Sequence, residues 1–477
     1  METIIAQIVT EMVNNIFDHI KKVGISNLSI MGTALQQDAN TCILKILKAI
    51  IEKTDSLLLE NKKLRKIDRL TVQQRNVSRT FLTVFGALTY ERTYYSYLSE
   101  DGQARYAYLT DEVIGIESYE RISKDLIAEI LSDLDTLSYR KAAGNHEGDI
   151  TAQTVHNRLL AAEEFSSSTE KLEKPENGLD IFADEDHVHM QPKKNEMVPL
   201  VTVTEGIQGG KTVHPFFLEG YGMSSEALAE NTLALICERY GADIPSPIRL
   251  HCDGGNWIKT LKDVLPGAES YMDGFHVQKY LKKLLNLKDG SKYAQRMRNA
   301  LKNCDWDSFF LYGAELIGLQ EEDKKEKAEK LLGYFYNNQE SIERRMKAEE
   351  NGVCGSCTEG QVSHVFSKRL SRDPLSWSEE GLRKMSSLLV YRKNGNRVTS
   401  EQINVSTSKD SFLEKKLRFK ENGFEKYCNY AKVQTETFLQ KHYDWSALEP
   451  ACPTYGKIDG TQVILSALGK VSDTICA

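Results

Sequence analysis

Apolar positions follow three kinds of pattern along the chain. Near the N-terminus Ile4, Ile5, Ile8, Val9, Met12, Val13 and Ile16 recur at three- and four-residue spacing. That spacing places them on one face of a helix. A second apolar-periodic stretch covers residues 34–59. Between Arg79 and Tyr95 the pattern changes to aromatic and β-branched residues around Gly86. This predicts a small hairpin or meander. Residues 119–165 return to helical spacing, with Leu126, Ile127, Ile130 and Leu131 as one stripe. Inside that region residues 138–143 begin a short helix, residues 144–149 form a turn, and residues 151–160 begin another helix. A polar linker follows, from Phe165 to Gly178.

The next stretch alternates short apolar runs with helical ones. Strands are predicted over 179–190 and 197–205, and a third over 212–218 after the turn dipeptide Gly209-Gly210. Ser224-Ser225-Glu226 opens a capped helix that runs to about Tyr240. Residues 247–252 form a fourth strand ending at Asp253, 257–265 a helix, and 268–272 a fifth strand ending at Asp273. A long basic helix follows from Gln278. Three antiparallel strands, then two that return through helices, is the ribonuclease H order. Charged helices over 300–350 interrupt this unit before Glu359. From Thr358 to about Val390 the pattern is helical in two pieces, split near Pro374.

The expected fold is therefore a multidomain α+β or α/β chain. Its ribonuclease H-like core carries a helical insertion and is preceded by helical and helix-turn-helix-like regions. The division is 1–75 helical, 76–118 β-rich, 119–165 helix-turn-helix-like, 178–300 first part of the core, 301–352 insertion, 353–400 core completion and 401–477 a C-terminal region with few signals.

Composition narrows the class. The 477 residues, 40% hydrophobic and 27% charged, suit two to four globular domains. No run of eighteen apolar residues predicts a membrane span. The start Met1-Glu2-Thr3 lacks the basic segment of a signal peptide. Nine scattered cysteines fit a reducing cytoplasm better than a disulfide framework. Cys354 and Cys357 form a single CxxC, and no partner pair at good spacing accompanies it for a closed zinc site.

The formal net charge of −7 argues against a simple DNA-coating protein. Local patches differ from the total. Between His276 and Asn303 only Asp289 opposes Lys279, Lys282, Lys283, Lys288, Lys292, Arg296, Arg298 and Lys302. A second basic run spans Lys62 to Arg79. One such run is ordinarily a solvated helix face. Two, in a chain that is acidic elsewhere, suggest a charged groove for nucleic acid.

Candidate chemistry sits at the strand ends. Asp184 lies on the first strand of the α/β stretch and Asp253 ends the fourth, and in a ribonuclease H sheet these are neighbours. Glu359 would enter from the helix after the insertion. Three carboxylates suffice to hold two Mg²⁺ ions, or Mn²⁺, for phosphoryl transfer, which needs positioning and charge neutralisation. Any single Asp is ordinarily a turn or cap residue, and Asp-Gly is a turn dipeptide. Asp184 and Asp186 share one strand face, with Glu185 on the other. Asp184 is the first choice and Asp186 the second. Asp273, His276 and His364 are accessory candidates. Thr151, Gln153, Thr154 and Asn157, with Arg158, are polar side chains on the second helix of the helix-turn-helix outline, suited to DNA contact. An ordinary helical hairpin gives the same pattern. The tyrosines of the 79–95 stretch also suit base stacking, although strand-core packing explains them as well.

At four segments the chain resembles a known group. These are Asp184-Glu185-Asp186-His187-Val188, His251-Cys252-Asp253-Gly254-Gly255-Asn256-Trp257-Ile258, Asp273-Gly274-Phe275-His276, and Glu359-Gly360-Gln361-Val362-Ser363-His364 with Trp377-Ser378 downstream. They resemble the bacterial insertion-sequence transposases of the ISLre type (the second Lre group), with Mutator-like relatives. The likeness covers roughly residues 81–397. It implies a DDE transposase that hydrolyses a strand at each transposon end and joins the 3′-hydroxyl to target DNA. Asp184, Asp253 and Glu359 would then be the catalytic metal ligands. The partners would be double-stranded DNA with terminal inverted repeats and target DNA. Bringing two ends together implies at least a dimer, acting in the cytoplasm at the nucleoid. A nuclease of the same fold without strand transfer, or a DNA-binding protein without catalysis, are the alternatives. Paired carboxylates also serve glycoside hydrolysis, but few aromatic platforms accompany these and the basic helix has no role there.

Overall fold

A computed structural model describes residues 2–23, 28–67, 69–98, 103–146, 148–191, 194–350, 358–372 and 375–403. The CxxC cysteines, Pro374 and residues 404–477 lie outside the described residues. The chain is mixed α and β and divides into two compact units. Among the described residues, the first holds those up to 128, those from 144 to 150 and Ile403; the second holds 129–143 and 151–402.

The first unit begins with three helices, α1 (Glu2–Val23), α2 (Leu28–Glu60) and α3 (Lys62–Ile67). A three-stranded antiparallel meander follows, β1 (Thr71–Thr83), β2 (Gly86–Leu98) and β3 (Ala104–Ala107). Thr83 pairs with Gly86 at the hairpin, where Gly86 has φ 118°. Only glycine adopts that conformation readily. α4 (Leu109–Val113) comes next, and α5 (Lys124–Ser132) straddles the division between the units. Helix α2 packs on β2. Asp55 of α2 accepts from the Thr93 backbone N–H at 2.8 Å and the Thr93 hydroxyl at 2.7 Å. A buried carboxylate in an apolar layer requires such donors.

In the second unit α6 (Tyr139–Gly144) and α7 (Ala152–Ala161) precede the main sheet. The strands are β4 (Leu179–His189), β5 (Asn195–Thr204), the two-residue strands β6 (Ile207–Gln208) and β7 (Lys211–Thr212), and β8 (Phe216–Glu219). Then come α8 (Ser225–Tyr240), β9 (Ile248–Cys252), α9 (Asn256–Val264), β10 (Ala268–Met272) and α10 (Gly274–Leu285). The sheet order is β10-β9-β4-β5-β8. β4, β5 and β8 are antiparallel neighbours, while β9 runs parallel to β4 and β10 parallel to β9.

Several boundaries differ from the sequence expectation: β1 starts at Thr71, inside the stretch expected to be helical, the basic stretch after β10 is two helices rather than one, and two further starts are shifted. The third strand of the sheet starts at Phe216 rather than Thr212, because Gly209 and Gly210 (φ 56° and 78°) close a separate hairpin of β6 and β7. Helix α10 starts at Gly274 rather than Gln278, because the Asp273 side chain caps it by accepting from the Phe275 N–H.

Strand alternation divides the sheet into two faces. Leu179, Ile181 and Ala183 of β4 and Ile248, Leu250 and Cys252 of β9 share a core with α8 and α9. Each of the buried leucines and isoleucines contributes on the order of 2 kcal/mol by leaving water. Parallel strands need cover on both faces. Five further helices follow, α11 (Gly290–Lys302), α12 (Trp306–Gly318), α13 (Glu322–Asn337), α14 (Gln339–Glu350) and α15 (Thr358–Val362). Helices α10 to α14 share their own core with Met272 at the end of β10, and α14 packs on that strand. Helix α15 packs against β4 and continues through a π-helical turn (Ser363–Ser367) into α16 (Lys368–Leu370). Helix α17 (Glu379–Lys393) is buried along most of its length and packs on α7 and β8.

Candidate metal centre

Three rows of side chains cross β4, β9 and β10 on the face away from α8 and α9. The register pairs Asp180 with Arg249 and Phe182 with His251 between β4 and β9, and Arg249 with Glu269 and His251 with Tyr271 between β9 and β10. The first row is charged. Arg249 donates two hydrogen bonds to Asp180, both at 2.8 Å, and His251 Nε2 meets the same carboxylate at 2.7 Å. Burial alone would raise the Asp180 carboxyl, but these partners hold it down at about 2. The second row is aromatic, with His251 stacked on Phe182 at 4.7 Å and against Tyr271 at 5.6 Å.

The third row follows from the same register, two residues further along each strand. It is Asp184, Asp253 and Asp273. Asp184 is 5% exposed. Its Oδ1 accepts from the Glu185 backbone N–H at 2.9 Å, and its Oδ2 has no hydrogen-bond partner among the described residues. Burial pushes its carboxyl up to about 7, with Asp253 and Glu185 adding to the rise and the Glu185 N–H and His276 opposing it. Asp253 is half-buried and folds back to accept from the Gly255 N–H at 2.8 Å. Gly254 between them has φ 91°.

His276, in the first turn of α10, completes the cluster. Ligand atoms of Asp184, Asp253 and His276 all lie within 4.8 Å of one another. Asp273 turns the other way and serves the histidine: its Oδ2 meets His276 Nδ1 at 3.2 Å. Burial would lower the His276 pKa, but the Asp273 bond and the charges of Asp184 and Asp253 raise it. Asp273 itself is opposed by burial and held low by His276, the Phe275 N–H and Arg345. Arg345 of α14 stands 3.6 Å from Asp273.

The donor set fits a divalent cation. A buried carboxylate oxygen without a partner is costly unless something cationic meets it. A histidine whose Nδ1 is held by a carboxylate presents Nε2 as a ligand, with its ring orientation and tautomer already fixed. Two carboxylates suit Mg²⁺ or Mn²⁺, and the imidazole tilts the set toward Mn²⁺.

The remaining candidates occupy other surroundings. Asp186 is buried on the same face as Asp184 and accepts from the Ser371 hydroxyl at 3.0 Å. Burial raises its carboxyl and that hydroxyl partly offsets the rise. Glu185, on the opposite face, accepts from the Trp257 ring N–H at 2.9 Å. Glu359 stands exposed at the second position of α15 and is not one of the three clustered residues. His364 is exposed in the π-helical turn. Lys279, Lys282 and Lys283 are exposed on α10, with Lys279 5.6 Å from the Phe275 ring centre and Lys283 5.0 Å from that of Tyr280. On α7 the side chain of Thr151 caps the helix by accepting from the Thr154 N–H. Gln153 and Asn157 are exposed and bonded to each other at 2.8 Å. Thr154 and Arg158 are half-buried. Val155 and Leu159 are buried on the opposite side of that helix.

The sequence pattern of the uncharacterised protein family UPF0236 matches residues 24–405, which includes every residue of the cluster. The chain belongs to that family. A member from Caldanaerobacter subterraneus subsp. tengcongensis is 32% identical over 393 residues, which is 81% of this chain and 82% of the relative. Its name carries eleven designations from one genome. Another member from the same organism, with four designations, is 32% identical over 394 residues, 81% of this chain and 82% of its own length.

The helices after β10 also contribute residues that no local pattern singles out. Arg345 is one. Asn338 is another, its side-chain oxygen 3.0 Å from where a Cβ on Gly254 would stand. Neither has a sequence signal, because each reaches the centre only through the packing of α13 and α14.

Proposed function

We propose that the protein is a DNA transposase of the DDE type, of the ISLre kind, cutting transposon ends and joining the freed 3′-hydroxyls to target DNA. The observation that carries this proposal is the meeting of Asp184 of β4, Asp253 just beyond β9 and His276 of α10. The sheet order and strand directions agree with a ribonuclease H-like core, and α11 to α14 agree with an insertion before Glu359. Relatives that recur under many designations in one genome agree with an element that multiplies within its host.

A divalent cation bound at the cluster would supply charge neutralisation on phosphoryl oxygens and a stronger oxygen nucleophile. Asp184 and Asp253 would hold it through carboxylate oxygens, and His276 through Nε2. Asp273 fixes the His276 ring and its tautomer. Glu359 is the third carboxylate of the proposal, entering from the helix that packs on β4. Lys279, Lys282 and Lys283 offer exposed charge for phosphates. Gln153, Thr154, Asn157 and Arg158 offer polar groups for the terminal repeats.

The test uses labelled DNA carrying the element's own ends, with Mg²⁺ or Mn²⁺, and compares wild type with Asp253→Ala. Metal-dependent 3′-end cutting and joining that vanish in the variant are the expected result. Cutting without joining would shift the assignment to a nuclease. End-specific binding without cleavage, equal in both proteins, would overturn the catalytic reading.

A further inference from the structure

Tyr334 lies on α13, and its ring stacks on Tyr280 of α10 with centroids 3.8 Å apart and planes 5° from parallel. Tyr280 stands one turn beyond His276 on the same helix. The Tyr334 hydroxyl is buried and has no hydrogen-bond partner among the described residues. Leaving such a group unpaired in the interior is unfavourable. The stack needs only the ring, so a phenylalanine would pack there without that cost. The hydroxyl therefore calls for a partner that the described residues do not provide.

The surroundings indicate what that partner is. Asn338 follows α13 directly and donates its side-chain N–H to the Tyr334 carbonyl at 2.8 Å. The same side chain lies against Gly254, next to Asp253. Further along, on α14, Arg345 donates to the Met272 carbonyl at 3.3 Å and faces Asp273. The end of α13 and the first turns of α14 are thus pinned to the strand ends that carry the acidic row. Burial, with Asp253 and Asp273 nearby, pushes the Tyr334 pKa far up, so the hydroxyl keeps its proton. It makes no hydrogen bond to either carboxylate. A fixed neutral donor beside carboxylates that suit a cation is placed for an oxyanion bound to that cation.

We infer that Tyr334 is a substrate-contacting residue of this centre, its hydroxyl donating a hydrogen bond to a phosphate oxygen held over Asp184, Asp253 and His276, an inference that rests on the metal-centre reading above. Helix α13 then contributes to the chemistry as well as to packing.

The test is Tyr334→Phe in the full chain, which keeps the ring and removes one oxygen. Mn²⁺ affinity is measured by calorimetry, followed by the affinity of the Mn²⁺-loaded protein for inorganic phosphate. Expected are a thermal midpoint of the metal-free protein equal to or above that of wild type, unchanged Mn²⁺ affinity and phosphate binding weakened about tenfold, the size of one hydrogen bond to a charged group. Equal phosphate affinities in the two proteins would overturn the Tyr334 assignment and leave the metal centre standing. A lowered thermal midpoint in the variant would assign the hydroxyl to the fold and overturn it equally. Wild-type protein that takes up no Mn²⁺, or an Asp253→Ala variant that takes it up as well as wild type, would overturn the metal reading and this inference with it.

Discussion

Asp184, in the middle of β4, and Asp253, just past the end of the parallel strand β9, stand side by side, each two residues beyond the registered pair Phe182 and His251. The ladder fixes Asp184, and the turn through Gly254, with the Gly255 N–H bonded to the Asp253 carboxylate, holds Asp253 beside it. A carboxylate held on a rigid strand keeps its place when no cation is bound. Like charges brought together in this way must be neutralised by protons or by a cation.

That conflict makes the metal-free protein sensitive to pH. The Asp184 carboxyl is raised to about 7 by burial first and by its acidic neighbours second. Its contribution to stability is full below the ordinary carboxylate value of about 4 and is lost as pH rises through about 7. Asp184→Asn removes this dependence. In EDTA the variant is expected to gain on wild type between about pH 4 and 7 and to hold its advantage above that. Urea unfolding at several pH values measures it. Added Mn²⁺ is expected to stabilise wild type, increasingly over the same window as the proton leaves, and to leave Asp184→Asn nearly unaffected.

The charged row beneath the cluster is structural. Asp180→Ala removes both bonds from Arg249 and the one to His251, leaving a largely buried guanidinium unpaired. Breaking one side of a buried ion pair costs about 3–5 kcal/mol. Mn²⁺ affinity is expected to change less than about twofold, because the aromatic row of Phe182, His251 and Tyr271 separates the two sites. Chemical denaturation and calorimetry on the same variant check both halves.

Gly254 combines a backbone need with a steric one. Its φ is 91°, and an added Cβ would meet the Asn338 side-chain oxygen at 3.0 Å and Met272 Cε at 3.3 Å. Gly254→Ala is expected to cost about 1–3 kcal/mol in stability. It is also expected to weaken Mn²⁺ binding, since the strained residue adjoins Asp253. Unaltered metal affinity would show that the turn does not position that carboxylate.

The exposed lysines of α10 test the DNA partner. Replacing Lys279, Lys282 and Lys283 singly by alanine is expected to weaken DNA binding similarly for all sequences. The salt slope is expected to fall by about 1 for each phosphate that a lysine had neutralised. Gln153→Ala and Asn157→Ala are instead expected to reduce preference for the terminal repeats, with the salt slope unchanged. Fluorescence anisotropy at several salt concentrations separates the two classes.

Much of the second unit was legible because its signals are local. Short apolar runs bounded by Gly and Asp announce β4, β9 and β10, and alternation within β4 sets Asp184 and Asp186 on one face against Glu185. The later contacts had no such signal. Nothing near Asp186 announces Ser371, and nothing near Gly254 announces Asn338. His276 was visible as a motif residue, but its place beside Asp184 depends on Asp273 capping α10 at Gly274 and turning the ring toward the sheet.

The sequence by itself determined that β4, β5, β9 and β10 exist, that Asp184 lies on β4, and that Asp253 and Asp273 follow β9 and β10. Periodicity and turn residues act over a few positions, and strand ends follow from them. Tertiary structure alone decided which groups meet there. It brought His276 to the two carboxylates, tied Asp186 to Ser371, left Glu359 exposed on α15, and set Tyr334 on Tyr280. Those outcomes depend on how helices far along the chain pack against the sheet, and packing is fixed by the combined fit of many side chains rather than by any local pattern.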